Sequence, residues 1–407
     1  MPLAPSLRIP HRLAMALLVA LPLAACQAST DGDATGANGS AGAQPAPART
    51  SSQTLPSALG TLRVTEVVRG LKHPWSVAFL PDGSMLVTER PGQLRRVAAD
   101  GALSAPISGV PTVFATGQGG LLDVVPAPDF ATSQRIYLSY AEPGADGTAG
   151  TAVAHATLAG DALTDVTVIY RQEPKVVGPN HFGSRLVFDG NGHLFISQGE
   201  RNQRPLSQEL DKLQGKLVRL NLDGSVPQDN PFVGQAGARP EIYSYGHRNM
   251  QGMALDPRTG KLWQNEHGPR GGDEINLPQP GRNYGWPVIT HGINYSGQPI
   301  PEAQGKAKDG MEQPYHVWEK SPGLSGMAFY TGRPGNPWND SLFMGALAER
   351  NLIRLTLDGD RIVNEERLLN DIGERVRDVR VGPDDNVYVL TDEEDGKLWR
   401  IEPPKTP

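Results

Sequence analysis

The chain has 407 residues, with 38 Lys and Arg against 44 Asp and Glu, and the resulting net charge of −6 argues against nucleic acid as a partner. Its 47 Gly and 36 Pro, with few apolar residues at helical spacing, exclude a helical bundle and point to many turns. The single cysteine excludes an intramolecular disulfide.

At the N-terminus, Arg8, His11 and Arg12 precede the apolar run "LAMALLVALPLAA" (13–25), too short to span a membrane comfortably, which leads directly into "LAAC". We read residues 1–25 as a lipoprotein signal peptide and Cys26 as the lipidated first residue of the mature chain; ordinary secretory cleavage is the simpler alternative. Loss of Arg8 and Arg12 with the leader makes the mature chain two charges more negative. The expected location is the periplasmic side of a bacterial membrane, most naturally the outer one, held by the lipid alone. Residues 26–60 are rich in Ala, Gly, Ser, Thr, Gln and Pro and are expected to form a flexible tether, because so few apolar side chains cannot offset the entropy of ordering. The folded domain is expected over 61–405.

Within that span one pattern recurs: a hydrophobic strand, turn residues of the Pro-Asp-Gly kind, a second strand, a glycine and a third strand. It runs through "PWSVAFLPDGSMLVTERPGQLRRV" (74–97) and "GGLLDVVPAPDFATSQRIYLSYAE" (119–142), then "SRLVFDGNGHLFISQGE" (184–200) and "QGMALDPRTGKLWQNEHG" (251–268). It returns in "SGMAFYTGRPGNPWNDSLFMGAL" (325–347) and "VRDVRVGPDDNVYVLTDE" (376–393). Six such units of about 58 residues predict an all-β fold, a six-bladed β-propeller with four-stranded blades and the surplus length in loops. The last unit shows only three strands, so "TLRVTEVVRG" (61–70) is expected to complete it and close the ring. A pair of β-sandwiches is the competing architecture, and six repetitions of one grammar disfavour it.

A propeller brings equivalent loops to one mouth. The residues at or just before the first strand of each unit include Gln118, His181, Arg248, Asn249, Trp318, Arg375 and Arg377. Three arginines, amides and an indole suit a flat polyanion, since guanidinium binds carboxylate bidentately and an indole face stacks on a planar ring. Among these residues His181 alone has a proton-accepting group with a pKa near neutrality. A further stretch, "NEHGPRGGDEIN" (265–276), holds one histidine, no cysteine and no second histidine at zinc spacing. Its tight turns and acids offer hard oxygen ligands, which suit Ca²⁺.

The phrases "TERPGQLR", "GQGGLLDV", "HFGSRLVFD", "SYGHRNMQG", "NEHGPRGGDEIN", "NYGWP" and "RVRDVRVGPDDNVYVLTDE" resemble the soluble aldose sugar dehydrogenases, quinoproteins of the soluble glucose dehydrogenase family, across nearly all of 61–405. The resemblance implies oxidation of aldose sugars at the anomeric carbon to lactones, with pyrroloquinoline quinone (PQQ) and Ca²⁺ as cofactors. His181 would be the general base, taking the proton of the anomeric hydroxyl as the hydride passes to the quinone. Gln118, Arg248, Asn249, Tyr295, Trp318, Arg375 and Arg377 match cofactor-binding or lining positions. The carbonyls of Gly268 and Pro269 would hold the catalytic Ca²⁺, while Glu274 and Tyr284 match a second, structural calcium site. A lysine that contacts the quinone in the glucose branch has no counterpart near Ala348, and Asn180 stands before His181 where the aldose branch has an acid. With no C-x-x-C-H for haem, electrons must leave to an external acceptor, a quinone or a periplasmic cytochrome. The enzyme is expected as a monomer or dimer. Competing readings are a calcium-dependent propeller hydrolase of the lactonase type and a tethered binding propeller without catalysis.

Overall fold

In a computed structural model of the chain, residues 51–404 are described; the leader, Cys26 and most of the expected tether lie outside them. The described part is a six-bladed β-propeller whose single α-helix is the four-residue turn Phe130–Ser133.

The innermost strands are Pro74–Phe79, Leu121–Pro126, Gly183–Phe188, Met250–Leu255, Leu324–Tyr330 and Val376–Val381. Each packs on the next and the last packs on the first, so the ring is closed. Closure is completed in the sheet as the sequence predicts. Gly60–Leu71 pairs antiparallel with the final strand Gly396–Glu402, leaving no free edge there. Strand structure extends upstream of Thr61, however. Ser52–Ser57, inside the stretch expected to be tether, pairs in continuous register with 60–65, and Leu55 enters the core. One apolar side chain and a two-residue hairpin turn suffice to dock a segment that composition alone marks as linker.

Four strands per blade holds for three blades only. The second blade and the ring-closing blade have five, and the first has three, 74–79, 85–89 and 93–97. After Val97 the chain makes only isolated bridges, Val97 to Leu103 and Ser108 to Ala162, on its way to the second blade.

Burial explains the sequence pattern. Second strands are enclosed on both faces, and Met85–Glu89, Leu262–Glu266 and Val387–Thr391 are buried at every position. The outer strand Arg361–Leu368 has four of its eight residues exposed and only Leu368 buried. The apolar core is divided into seams between neighbouring blades; one holds Leu86, Leu94, Leu121 and Leu138, another Trp263, Ile275, Leu324 and Leu342. The Pro-Asp-Gly grammar becomes a set of aspartate turns at the far face. Asp82 Oδ1 accepts the Ser84 N–H (2.9 Å), Asp189 that of Asn191 (2.7 Å) and Asp256 that of Arg258 (2.9 Å).

Every innermost strand carries a register shift near its start, at the end facing the mouth. Bulges of this kind re-aim side chains. At Val376/Asp378 the bulge sends Arg377 into the mouth and Asp378 into the channel. There Asp378, Asp123, Arg185 and Arg380 form a buried charge network that floors the site. Arg185 Nη1 lies 3.1 Å from Asp123 and 3.0 Å from Asp378, and Arg380 Nη2 donates to Asp123 at 2.8 Å.

Candidate active site

His181 follows the Gly178–Asn180 loop in a left-handed conformation (φ 56°) and is buried. Arg201 fixes that loop by donating to the carbonyls of Gly178 (2.5 Å) and Asn180. Gln118 fixes the histidine backbone, its Oε1 accepting the His181 N–H at 2.8 Å. The imidazole Nδ1 meets Glu200 Oε2 at 2.5 Å, so Glu200 sets the ring orientation and leaves Nε2 as the proton acceptor. Burial is the largest influence on the imidazole and lowers its pKa; Glu200 opposes that shift, and the nearby Arg248 charge adds to it. Burial likewise opposes ionisation of Glu200, but the His181 and Arg248 charges keep its pKa below the ordinary value.

The close passage of two strands makes this possible. A Cβ on Gly199 would stand 2.0 Å from the His181 carbonyl oxygen, so only glycine fits. Gly199→Ala is expected to displace His181, costing about 1–3 kcal/mol of stability and lowering turnover, as steady-state assay and thermal melting would show.

Beside the histidine loop is a cavity of about 290 Å³ whose charged groups are Arg90, Arg375, Arg377, Asp392 and Glu393, with the imidazoles of His73 and His267 also on its wall. Arg377 is buried, with Nη1 on Gln251 Oε1 and Nη2 on Asp392 Oδ2, both at 2.8 Å. Burial would raise the Asp392 pKa, but Arg377 and Arg90 hold its carboxylate well below the usual range. Arg375 is anchored through Nη1 to the Leu347 carbonyl (3.2 Å).

The "HGPRGGDE" turn forms the adjoining wall. Asp273 clamps it, accepting the Gly268 N–H at 3.0 Å and, from the next blade, those of Gly323 (2.8 Å) and Leu324 (3.0 Å). Gly268 and Pro269 line both a wide opening of about 680 Å³, which Tyr295 and Ala348 also border, and a small void of about 20 Å³ with Glu274 and Tyr284. The carbonyls of Gly268, Pro269 and Tyr284 accept no backbone hydrogen bond among the described residues. Glu274 is the cross-strand partner of Glu266, and burial together with that neighbouring charge pushes its carboxyl well above the ordinary value. His267 borders all three spaces, and burial pushes its pKa down to about 4.

The structure therefore gathers Gln118, Arg375 and Arg377 around one cavity, with His181 joined to Gln118, and places Gly268, Pro269 and Tyr295 in the adjoining opening. Arg248 is buried behind the turn, its Nη1 on the His267 carbonyl (2.9 Å) and its guanidinium carbon 5.3 Å from the Trp286 ring centre. Asn249 is fully buried as a bridge, accepting the Gly183 N–H at 3.2 Å. Trp318 is a correction. It lies on the outer strand His316–Trp318, in the seam with the next blade, and its indole N–H donates to Glu365 at 2.9 Å. Its backbone does reach the mouth, where its carbonyl accepts the Gly272 N–H at 2.9 Å, but the indole turns into the seam and borders none of the cavities described.

Arg90, Glu200, His267, Leu347 and Asp392 were not found by the sequence reading. Each directly follows the second strand of its blade, or lies one residue further on. Second strands return to the mouth from which first strands depart, so "TERPG", "SQGER", "NEHG" and "TDEE" carried the signal.

A ring of six blades with an oriented imidazole beside an arginine-lined cavity makes a pocket for an anionic ligand next to a proton acceptor. A family model described as Glucose / Sorbosone dehydrogenase matches residues 71–400, and the chain belongs to that family of oxidoreductases. It is 56% identical to "Aldose sugar dehydrogenase YliI" of Escherichia coli (strain K12) over 355 residues, covering 86% of this chain and 96% of that protein. A solved structure described as a glucose dehydrogenase superposes with a TM-score of 0.82 at 62% identity, covering 83% of this chain and 98% of that one. The PQQ-bound aldose sugar dehydrogenase of Streptomyces coelicolor superposes with a TM-score of 0.69 at 28% identity, covering 88% and 99% respectively.

Proposed function

We propose that the protein oxidises aldose sugars at the anomeric carbon to lactones, with PQQ and Ca²⁺ as cofactors and His181 as the base. The observation that carries this reading is the His181–Glu200 pair beside a cavity lined by Arg90, Arg375 and Arg377, in a chain of this family.

The residues present fit both groups. PQQ is a planar tricarboxylate, and Nε of Arg90, Arg248 and Arg377 is buried without a hydrogen-bond partner. For calcium, the open carbonyls of Gly268 and Pro269 are hard ligands in a clamped turn. No group of three His, Cys, Asp or Glu among the described residues is placed to hold a metal, so an ion here would rely on main-chain oxygens and on the cofactor. Glu274 and the Tyr284 carbonyl, across the small void, are the pair we assign to a structural Ca²⁺. The chemistry these groups supply when bound is acceptance of the anomeric hydride by the quinone, with the calcium ion as Lewis acid.

The protein's own part is positioning and proton transfer. His181 Nε2 takes the proton of the C1 hydroxyl, and Glu200 at Nδ1 stabilises the imidazolium that results. The wide opening bordered by Tyr295 admits the sugar, and electrons leave to an external quinone or cytochrome. The leader and Cys26 support export and lipid anchoring; no helix among the described residues is long and apolar enough to cross a membrane.

Apo-protein supplied with PQQ and Ca²⁺ is expected to gain aldose-dependent reduction of an artificial electron acceptor, and a calcium chelator to remove it. Absence of both PQQ binding and activity across common aldoses would overturn the reading.

A further inference from the structure

Charge at the 290 Å³ cavity does not balance within the protein. Three guanidiniums, Arg90, Arg375 and Arg377, face two carboxylates, Asp392 and Glu393. Glu393 is already engaged, its Oε1 accepting from the Arg375 backbone N–H and the Arg350 guanidinium, both at 3.1 Å. Asp392 is shared among Arg377 (2.8 Å), His73 Nδ1 (3.0 Å), Arg90 (3.4 Å) and, most distantly, Arg375 (3.9 Å).

Arg90 leaves the end of the first blade's second strand, and its Nη1 donates to the Gly117 carbonyl at 2.6 Å. Its Nη2 reaches Asp392 only at ion-pair distance, and its buried Nε has no partner. Burial is the largest influence on this guanidinium and disfavours its charge, and Asp392 only partly compensates. A fork with spare donors, held in a cavity with surplus positive charge, is arranged for an anion.

We propose that Arg90 binds a carboxylate of the quinone cofactor, so that the first blade supplies one jaw of a clamp whose other jaw is Arg375 and Arg377 of the last blade. Asp392 is the acid that spaces the guanidiniums. This inference rests on the reading that PQQ is the ligand. It also ties cofactor to base: Arg90 holds Gly117, and the next residue, Gln118, holds the His181 backbone.

The test is a titration of apo wild type and Arg90→Met with PQQ and with its trimethyl ester, at fixed calcium, followed by absorbance and by quenching of protein fluorescence. PQQ is expected to bind Arg90→Met about ten- to a hundredfold more weakly, the range for a hydrogen bond to a charged group. The ester is expected to bind both proteins about equally, because it lacks the charge that Arg90 recognises. Arg90→Lys, which keeps the charge and loses the fork, should fall between, and serves if the methionine variant does not fold. Equal PQQ affinity in wild type and variant overturns the inference alone. So does an equal loss for acid and ester, the mark of a purely structural role. Wild type that binds no PQQ overturns the functional reading and this inference with it.

Discussion

Replacing His181 by alanine is expected to lower turnover by about 10²–10⁴-fold, the usual contribution of a positioned general base, while PQQ affinity changes little. The ring is buried and its Nδ1 is committed to Glu200 at 2.5 Å, so nothing adjacent replaces it as acceptor. His267 borders the arginine-lined cavity, but its Nε2–H donates to the Leu324 carbonyl and its Nδ1 faces the Asn249 amide at 3.5 Å. The sign of the pH dependence follows. The base works as neutral imidazole, and burial lowers its pKa below the ordinary 6.5, so activity should be full at neutral pH and fall only as pH drops below that value. In Glu200→Gln the charge that raises the His181 pKa is gone. The acid limb should then move to still lower pH and the maximal rate should drop, measured as kcat against pH.

The second large effect concerns stability. Asp123 accepts from Ser76 Oγ (2.6 Å), the Leu186 N–H (2.8 Å), Arg380 (2.8 Å) and Arg185 (3.1 Å), joining the first, second, third and last blades at the channel. Arg185 is fully enclosed and stacks 4.3 Å above Trp75. Asp123→Ala leaves the buried Arg185 and the half-buried Arg380 with Asp378 as their remaining acid partner in the network. Breaking a buried pair from one side costs about 3–5 kcal/mol, and urea denaturation should report a loss of that size. An unchanged midpoint would show that the floor of the channel is wet and its charges screened.

Much of this architecture is legible in the sequence, for a physical reason. Each blade must solve the same packing problem, so apolar runs on second strands and aspartate turns such as 82–84 and 189–191 recur at a period the eye can follow. Ring closure by 60–71 was legible too, from a strand missing at the C-terminus. Docking of 52–57 was not, because it depends on one buried leucine and backbone pairing. The site was half legible. Blade position found His181, Gln118, Arg375 and Arg377 from the starts of first strands. It missed Arg90, Glu200 and Asp392 because the ends of second strands reach the same mouth. Trp318 misled because an indole before a first strand serves the seam between blades as readily as the channel.

The most direct test of the central claim is a single turnover. Protein loaded with PQQ and Ca²⁺ is mixed anaerobically with glucose carrying hydrogen or deuterium at C1, and cofactor absorbance is followed while the product is identified. The account predicts reduction that is slower with deuterium, a lactone product, and a reduction rate lowered by orders of magnitude in His181→Ala. Equal rates for the two isotopes, or a His181→Ala variant that reduces its cofactor as fast as wild type, would contradict it.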